Sequence, residues 1–319
     1  MNSTIVSVTN LTKCFYANHW FWQKPTATTA VNGISFELKQ NQILGLLGIN
    51  GAGKTTTISM LMGVMTPTAG SLSYFGKTLA QNRCTIMQQV THTSGFTKLI
   101  GKLTVKENLI MYGYLYNMKK QAIEQRIAYL AQQFSLDEIL QKYAGELSTG
   151  QTTRALIARV FIPSPRVILL DEPTAALDPK MANDVRAFIS KQQREEGISI
   201  LFTSHNMDEV TELCHDVLVL ERGSIIAHDT PKNLAATIAT ARVHLVMRNG
   251  MEQVIRYAQQ HDITHQIAGA SIRLDVAEHA IAQLLQGLAQ QQADYSNISI
   301  EQPSLEDYFL SMAKRGPIS

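Results

Sequence analysis

One run of nine residues constrains this chain more than any other: Gly48-Ile49-Asn50-Gly51-Ala52-Gly53-Lys54-Thr55-Thr56. It follows the apolar run Ile43-Leu44-Gly45-Leu46-Leu47, which reads as a short buried strand, and precedes Thr57-Ile58-Ser59-Met60-Leu61-Met62, which reads as the first turns of a helix. Strand, glycine-rich loop, Lys-Thr and helix together form the context of a phosphate-binding loop. Its glycines let the backbone curl so that successive N–H groups converge, and the positive end of the helix dipole adds to this anion nest. Asn50, Gly51, Ala52, Gly53, Lys54, Thr55 and Thr56 are therefore the expected phosphate-binding residues. Lys54 reaches the β- and γ-phosphates as a point charge, and the Thr55 hydroxyl is an expected Mg²⁺ ligand.

At 319 residues the chain is long enough for more than one domain. A net charge of +2 gives no electrostatic case for binding nucleic acid or bulk membrane, so no nucleic acid is expected. Cys14, Cys84 and Cys214 are scattered and odd in number, which points to a reducing compartment without a disulfide framework. The N-terminus lacks the basic start and apolar core of a signal peptide. No stretch approaches the roughly 18 to 20 apolar residues of a membrane span. A membrane role would therefore run through a partner.

Residues 4–9 and 33–39 read as strands, with Ile34 and Phe36 alternating as in a half-buried antiparallel sheet. Between them lies an insertion, 17–28, that holds both tryptophans, Trp20 and Trp22. Phe15 and Tyr16 precede it, where an aromatic ring can stack on a nucleotide base. Residues 71–75 read as a strand and 84–102 as a looser stretch. Helical periodicity begins at Thr104: Leu109, Tyr112 and Tyr116 share one face, and Ile123, Ile127, Leu130 and Phe134 another. The helical insertion spans about 104–160.

Ser148 is a candidate cap for the helix that follows Leu147. Shortly after, Val167-Ile168-Leu169-Leu170 reads as a strand buried on both faces of a parallel sheet. It delivers Asp171 and Glu172 to its C-terminal end, where open α/β sheets place ligands. Asp171 is placed to hold the Mg²⁺ shell, and Glu172 to orient or deprotonate a water. A helix over 180–195 stops at Gly197. A further apolar strand, Ile198 to Thr203, delivers Ser204-His205, the third consecutive strand end with phosphate chemistry.

Together these residues resemble the ATP-binding subunit of an ABC transporter, over about residues 4–235. The resemblance rests on the Walker A loop at Gly48–Thr55, the signature at Leu147–Gln151 and Walker B at Val167–Glu172. The D-loop at Ala175–Asp178 and the switch His205 complete it. The signature reads LSTGQ where the family usually has LSGGQ; Ser148 and Gly150, the usual γ-phosphate contacts, are retained. The resemblance implies ATP and Mg²⁺ as ligands, catalytic roles for Glu172, His205 and Lys54, and nucleotide contacts from Ser148, Gly150, Gln151 and Asp178. It places the adenine-stacking aromatic at Phe15. The family also has a metal-linked Gln after the strand that leads to the helical insertion. Gln88 and Gln89 are the candidates and Gln89 is favoured, while a gap-free reading puts Thr91 or His92 there.

The implied fold is α/β: a P-loop NTPase core with a mainly parallel sheet, an antiparallel β subdomain and a helical insertion. A small α+β accessory domain is expected over 236–319. Its last segment, Pro303–Leu310, resembles the closing motif of ATPase subunits in drug-resistance-type exporters, and Ser304 with Asp307 also fits a capped amphipathic helix. The implied activity is ATP hydrolysis by a head-to-tail dimer of two ATPase subunits, most simply a homodimer. It would drive a separate integral membrane permease for export, at the cytoplasmic face of the membrane. The rival reading is a soluble ABC ATPase acting on ribosomes or DNA. Such relatives often carry two cassettes, coiled-coil insertions or zinc motifs, none of which this chain has.

Overall fold

The computed structural model describes residues 3–17, 26–93, 97–238 and 240–314. Both tryptophans of the 17–28 insertion lie outside the described residues. The chain divides into two compact units, Met1–Thr230 and Pro231–Ser319.

In the first unit the order is β1 (Thr4–Ala17), β2 (Thr26–Lys39), β3 (Ile43–Leu47), α1 (Lys54–Leu61), β4 (Ala69–Tyr74), β5 (Lys77–Thr78), α2 (Leu79–Met87) and β6 (Val90–Thr93). The helical insertion follows as α3 (Val105–Leu115), α4 (Lys120–Gln133) and α5 (Thr149–Phe161). Then come β7 (Val167–Asp171), α6 (Pro179–Glu196), β8 (Ser199–Thr203), α7 (Met207–Leu213), β9 (Asp216–Glu221) and β10 (Ser224–Asp229).

Two sheets result. The antiparallel sheet has the order β2-β1-β4-β5, and β1 pairs with β2 through several register shifts. Its inward residues alternate, with Val6, Val8, Ile34, Phe36 and Leu38 buried. The six-stranded sheet has the order β10-β9-β3-β8-β7-β6. Within it, β9, β3, β8, β7 and β6 run parallel and β10 is antiparallel to β9. Strands β3 and β8 are buried at every residue, as continuous apolar runs in a helix-covered parallel sheet should be. One consequence controls the rest: the C-terminal ends of β3, β8, β7 and β6 lie side by side along one edge of the sheet.

The helical insertion is as patterned. Ile123, Ile127, Leu130 and Phe134 are all buried, and so are Leu109 and Tyr112. Thr104 closes a capping box with Glu107 at the start of α3. Arg126 on α4 donates to the Phe161 carbonyl at 3.0 Å and to both carboxylate oxygens of Glu196, tying α4 to α5 and α6.

The second unit contains α8 (Pro231–Ala236), β11 (Thr240–Asn249), α9 (Met251–Gln260), β12 (Thr264–Ala268), β13 (Ser271–Ala277), α10 (Ile281–Gln290), β14 (Asp294–Glu301) and α11 (Leu305–Lys314). Its sheet order, β12-β13-β11-β14, with every pair antiparallel, is a split βαβ arrangement. Ala241, Val243, Leu245 and Met247 alternate inward on β11, and the last three pack with Ile272, Leu274, Val254 and Leu284. Ser304 and Asp307 cap α11 reciprocally, and Asp307 also pairs with Arg242 on β11. The unit begins five residues earlier than the 235/236 boundary read from sequence. The reason is that α8 packs against α11, with Leu234 and Leu305 buried.

Candidate active site

Two glycines of the loop after β3, Gly48 and Gly53, pack where a side chain would not fit. A Cβ on Gly53 would sit 2.5 Å from the Ala30 carbonyl oxygen, and one on Gly48 2.4 Å from the Leu220 carbonyl oxygen. Gly53 also has φ of +104°, a conformation that suits glycine. Gly223 donates its N–H to the Ala52 carbonyl at 3.0 Å, which anchors the loop to the β9–β10 turn. Asn50, Gly51 and Thr55 are exposed at its mouth.

Lys54 is buried and turns back on its own loop. Its Nζ donates to the carbonyl oxygens of Gly48 at 2.5 Å and Ile49 at 3.3 Å. Burial pushes its pKa down, against the upward pull of Glu172 and Asp171. Those carboxylates are therefore close enough to be felt, although neither forms an ion pair with Lys54.

Strand β7 ends at Asp171 with Glu172 next, and β8, its neighbour, ends at Thr203 and leads into Ser204 and His205. Asp171 is in register with Thr203. The fully buried Thr203 hydroxyl donates to Asp171 Oδ1 at 2.6 Å. Glu172 N–H lies 3.1 Å from both the Thr203 carbonyl oxygen and its hydroxyl. These bonds hold Glu172 at φ +52°, a left-handed conformation that costs a non-glycine residue on the order of 1 kcal/mol. Glu172 Oε1 in turn lies 2.6 Å from His205 Nε2.

A cavity of about 590 Å³ opens at these strand ends, lined among others by Thr55, Asp171, Glu172, Thr93, Leu147 and Thr149. At the start of α5, Ser148 Oγ accepts from Gln151 N–H at 3.3 Å, and Gln151 Oε1 accepts from Ser148 N–H at 3.0 Å. Gln151 is thus engaged in a capping box, and no Cβ on Gly150 would meet anything within 4 Å. Asp178 caps α6 through Met181 N–H at 3.1 Å. Phe15 on β1 is 42% exposed, with Lys13 Nζ 5.4 Å from its ring centre.

Gln89 is not at this site. It precedes β6 instead of following it: its carbonyl accepts from Arg166 N–H and Val167 N–H, and its side chain accepts from Arg166 Nη1. That is the opposite end of β7 from Asp171, about 13 Å away at some 3.3 Å per residue. Gln88 lies one residue further back. Thr91 and His92 lie within β6, with Thr91 buried and His92 largely buried. The residue that β6 delivers to the cavity is Thr93, and 94–96 lie outside the described residues. Sequence reading also missed Thr203. Its position at the end of an apolar strand beside a carboxylate pair is the signal that marks it.

These strand ends bring together an anion-binding loop, a lysine, a hydroxyl and carboxylate pair suited to a hard cation, and a carboxylate–imidazole pair suited to handling a water proton. The comparisons agree. Residues 31–175 match the family model described as ABC transporter. The chain is 34% identical to the ABC transporter ATP-binding protein NatA of Bacillus subtilis, over 65% of this chain and 84% of that protein. It is 28% identical to the linearmycin resistance ATP-binding protein LnrL of the same organism, over 90% of this chain and 94% of that protein. A solved structure of an ATP-binding subunit of an ABC transporter superposes with a TM-score of 0.65, at 25% identity, covering 73% of this chain and 93% of the other. The chain belongs to the ABC transporter family, as an ATP-binding, ATP-hydrolysing subunit.

Proposed function

We propose that this subunit hydrolyses ATP at the edge formed by β3, β8 and β7, within a head-to-tail homodimer, and drives export through a separate membrane permease. The observation that carries the catalytic reading is the 2.6 Å contact between His205 Nε2 and Glu172 Oε1, beside the Lys54 loop. The loop N–H groups from Asn50 to Thr56 bind the phosphates, and Lys54 exchanges its two carbonyl partners for phosphate oxygens. Glu172 holds the attacking water as base or orienting group, and His205 fixes the Glu172 carboxylate and faces the γ-phosphate. Ser148, Gly150, Gln151 and Asp178 complete the partner subunit's nucleotide site, and Phe15 stacks on the adenine.

Mg²⁺ fits the donor set. Thr55 and Asp171 offer one hydroxyl and one carboxylate on the same cavity. Among the described residues no three His, Cys, Asp or Glu cluster to form an all-protein cage. Mg²⁺ is usually held by one or two carboxylates together with substrate phosphates. When bound, it neutralises charge on the phosphate oxygens.

Export is supported by the similarity to the linearmycin resistance protein, which extends across 90% of this chain. Among the described residues no helix is long and apolar enough to cross a membrane. The likeness to transporter ATP-binding proteins supports assigning the subunit to the cytoplasmic face, attached through its permease. We also assign 1–230 as the ATPase domain and 231–319 as an accessory domain, with the boundary moved to keep α8 with α11.

The Glu172→Gln variant tests the reading. It retains shape and φ but removes the carboxylate charge, so ATP still binds, hydrolysis nearly stops and ATP-bound dimers accumulate on size-exclusion chromatography. Lys54→Ala should collapse nucleotide binding or turnover with little change in the melting temperature of the nucleotide-free protein. Near-normal hydrolysis in a Glu172→Gln protein that stays monomeric with ATP would refute the assignment.

A further inference from the structure

Glu209 on α7 is 4% exposed and has no place in the chemistry described above. A buried carboxylate is costly unless it is paired and hydrogen-bonded, and this one is fully engaged. Its Oε2 accepts from the Thr174 hydroxyl at 2.6 Å and from the Ser204 hydroxyl at 2.8 Å. Its Oε1 accepts from Arg186 Nη1 on α6 at 3.1 Å. Thr174 and Ser204 are themselves buried.

The three donors come from separate parts of the chain. Thr174 lies two residues beyond Glu172, immediately before the D-loop. Ser204 immediately precedes His205, and its hydroxyl also accepts from Asn206 N–H at 3.0 Å. His205 is therefore gripped on both sides. A single carboxylate oxygen thus ties the segment that bears Glu172 to the segment that bears His205. The residues around this tie line a cleft of about 550 Å³, which includes both reacting side chains.

We propose that Glu209 is a positioning residue for hydrolysis: it sets the distance between the Glu172 loop and the His205 switch, and Arg186 fixes Glu209 in turn. This rests on the reading of Glu172 and His205 as the hydrolytic pair. Glu172 and His205 already meet through their side chains, and Glu172 N–H bonds Thr203; the hydroxyl–carboxylate–hydroxyl link adds a buried tie between the two loops at Thr174 and Ser204, beside the reacting pair. ATP binding at Lys54 and the glycine loop does not pass through it. Loss of Glu209 should therefore lower kcat and spare KM.

The test uses the full chain, with ATPase kinetics, binding of a fluorescent ATP analogue and thermal melts. Glu209→Ala is expected to lower kcat about tenfold or more, with KM and analogue affinity within about twofold of wild type, since small misplacements of reacting groups are costly. Glu209→Gln keeps an oxygen that accepts from both hydroxyls, while Arg186 keeps Glu212 at 2.6 Å. It should recover most of the lost kcat, a rescue that a role in bulk charge would not give. Wild-type kcat in Glu209→Ala, or a fall in kcat matched by an equal loss of ATP affinity, would overturn the proposal. Should Glu209→Ala fail to fold, Ser204→Ala and Thr174→Val decide. Reduced kcat at constant KM in both supports the link, and wild-type kcat in both overturns it. Glu172→Gln and His205→Ala are run alongside. If these retain normal hydrolysis, the hydrolytic pair itself is misassigned, a failure separate from that of Glu209.

Discussion

Replacing Thr203 with Val removes one hydroxyl while preserving shape in a fully buried position, so no cavity opens. The hydroxyl makes a 2.6 Å bond to Asp171 Oδ1 and shares the Glu172 N–H at 3.1 Å. A hydrogen bond to a charged group contributes roughly 1.5–3 kcal/mol. Asp171 is only part-buried and can recruit water, which favours the lower end. Glu172 N–H keeps the Thr203 carbonyl as its acceptor. A loss of about 1.5 kcal/mol corresponds to a melting-temperature drop of some 3–6 °C for a domain of this size. The effect on turnover should be larger than this suggests, because both acidic residues lose their alignment: a fall in kcat on the order of 10- to 100-fold. Phosphate release against ATP concentration measures it, with Thr203→Ser as the control that keeps the hydroxyl. If Val and Ser variants both match wild type, the hydroxyl does not align the carboxylates and the reasoning fails.

Three further outcomes are expected. Burial, with the positive charge of Arg159, holds the His92 imidazole below its ordinary pKa, so the folded state binds fewer protons than the unfolded chain. Stability should then be full above about pH 6.5 and fall as pH drops below it; melts of His92→Gln should lose that slope, and an unchanged slope would count against this source. Desolvation pushes the Asp307 carboxyl up, but the Ser304 N–H and hydroxyl and the Arg242 guanidinium outweigh it and hold the carboxyl below its usual value. Its stabilisation is present above about pH 4 and lost as pH falls through the folded value, so acid titration by circular dichroism should show a smaller acid-side loss in Asp307→Asn. A chain ending at Thr230 should stay soluble and bind ATP, whereas one ending at Ala235 retains α8 without α11 and exposes Leu234, which differential solubility will show.

Much of the first unit is written in its apolar runs. Ile43–Leu47 and Val167–Leu170 are long enough to be buried on both faces, and each hands its motif to the same edge. Ser148 and Ser304 announce their helices because a hydroxyl three residues ahead of a side-chain acceptor satisfies free N–H groups at both ends of the exchange. Strand β6 was illegible for the opposite reason. Val90-Thr91-His92-Thr93 contains one aliphatic residue, yet it is carried into the sheet by pairing with β7. With 84–102 read as a loose stretch, nothing in the sequence showed that Gln89 stands before a strand and not after one. The extension of β1 and β2 was hidden likewise, since Thr26–Thr29 carries no apolar alternation and gains its structure only from its partner strand. Thr203 and Glu209 are ordinary residue types in sequence; only the adjacency of β7 and β8, and of α6 and α7, gives them their partners.

The left-handed backbone at Glu172 has a consequence for engineering. Glycine, or to a lesser extent asparagine, would occupy φ +52° with less strain. A selection for thermostability alone should therefore accept substitution at this position, with relief of backbone strain that nets about 1 kcal/mol for asparagine and less for glycine, whose unfolded chain has more freedom to lose. Every such gain would come at the expense of turnover. Glu172 shares this conformation with residues such as Phe75 and Arg222, but it alone of these faces the proposed reaction, so there resistance to heat and catalytic competence pull in opposite directions at a single codon.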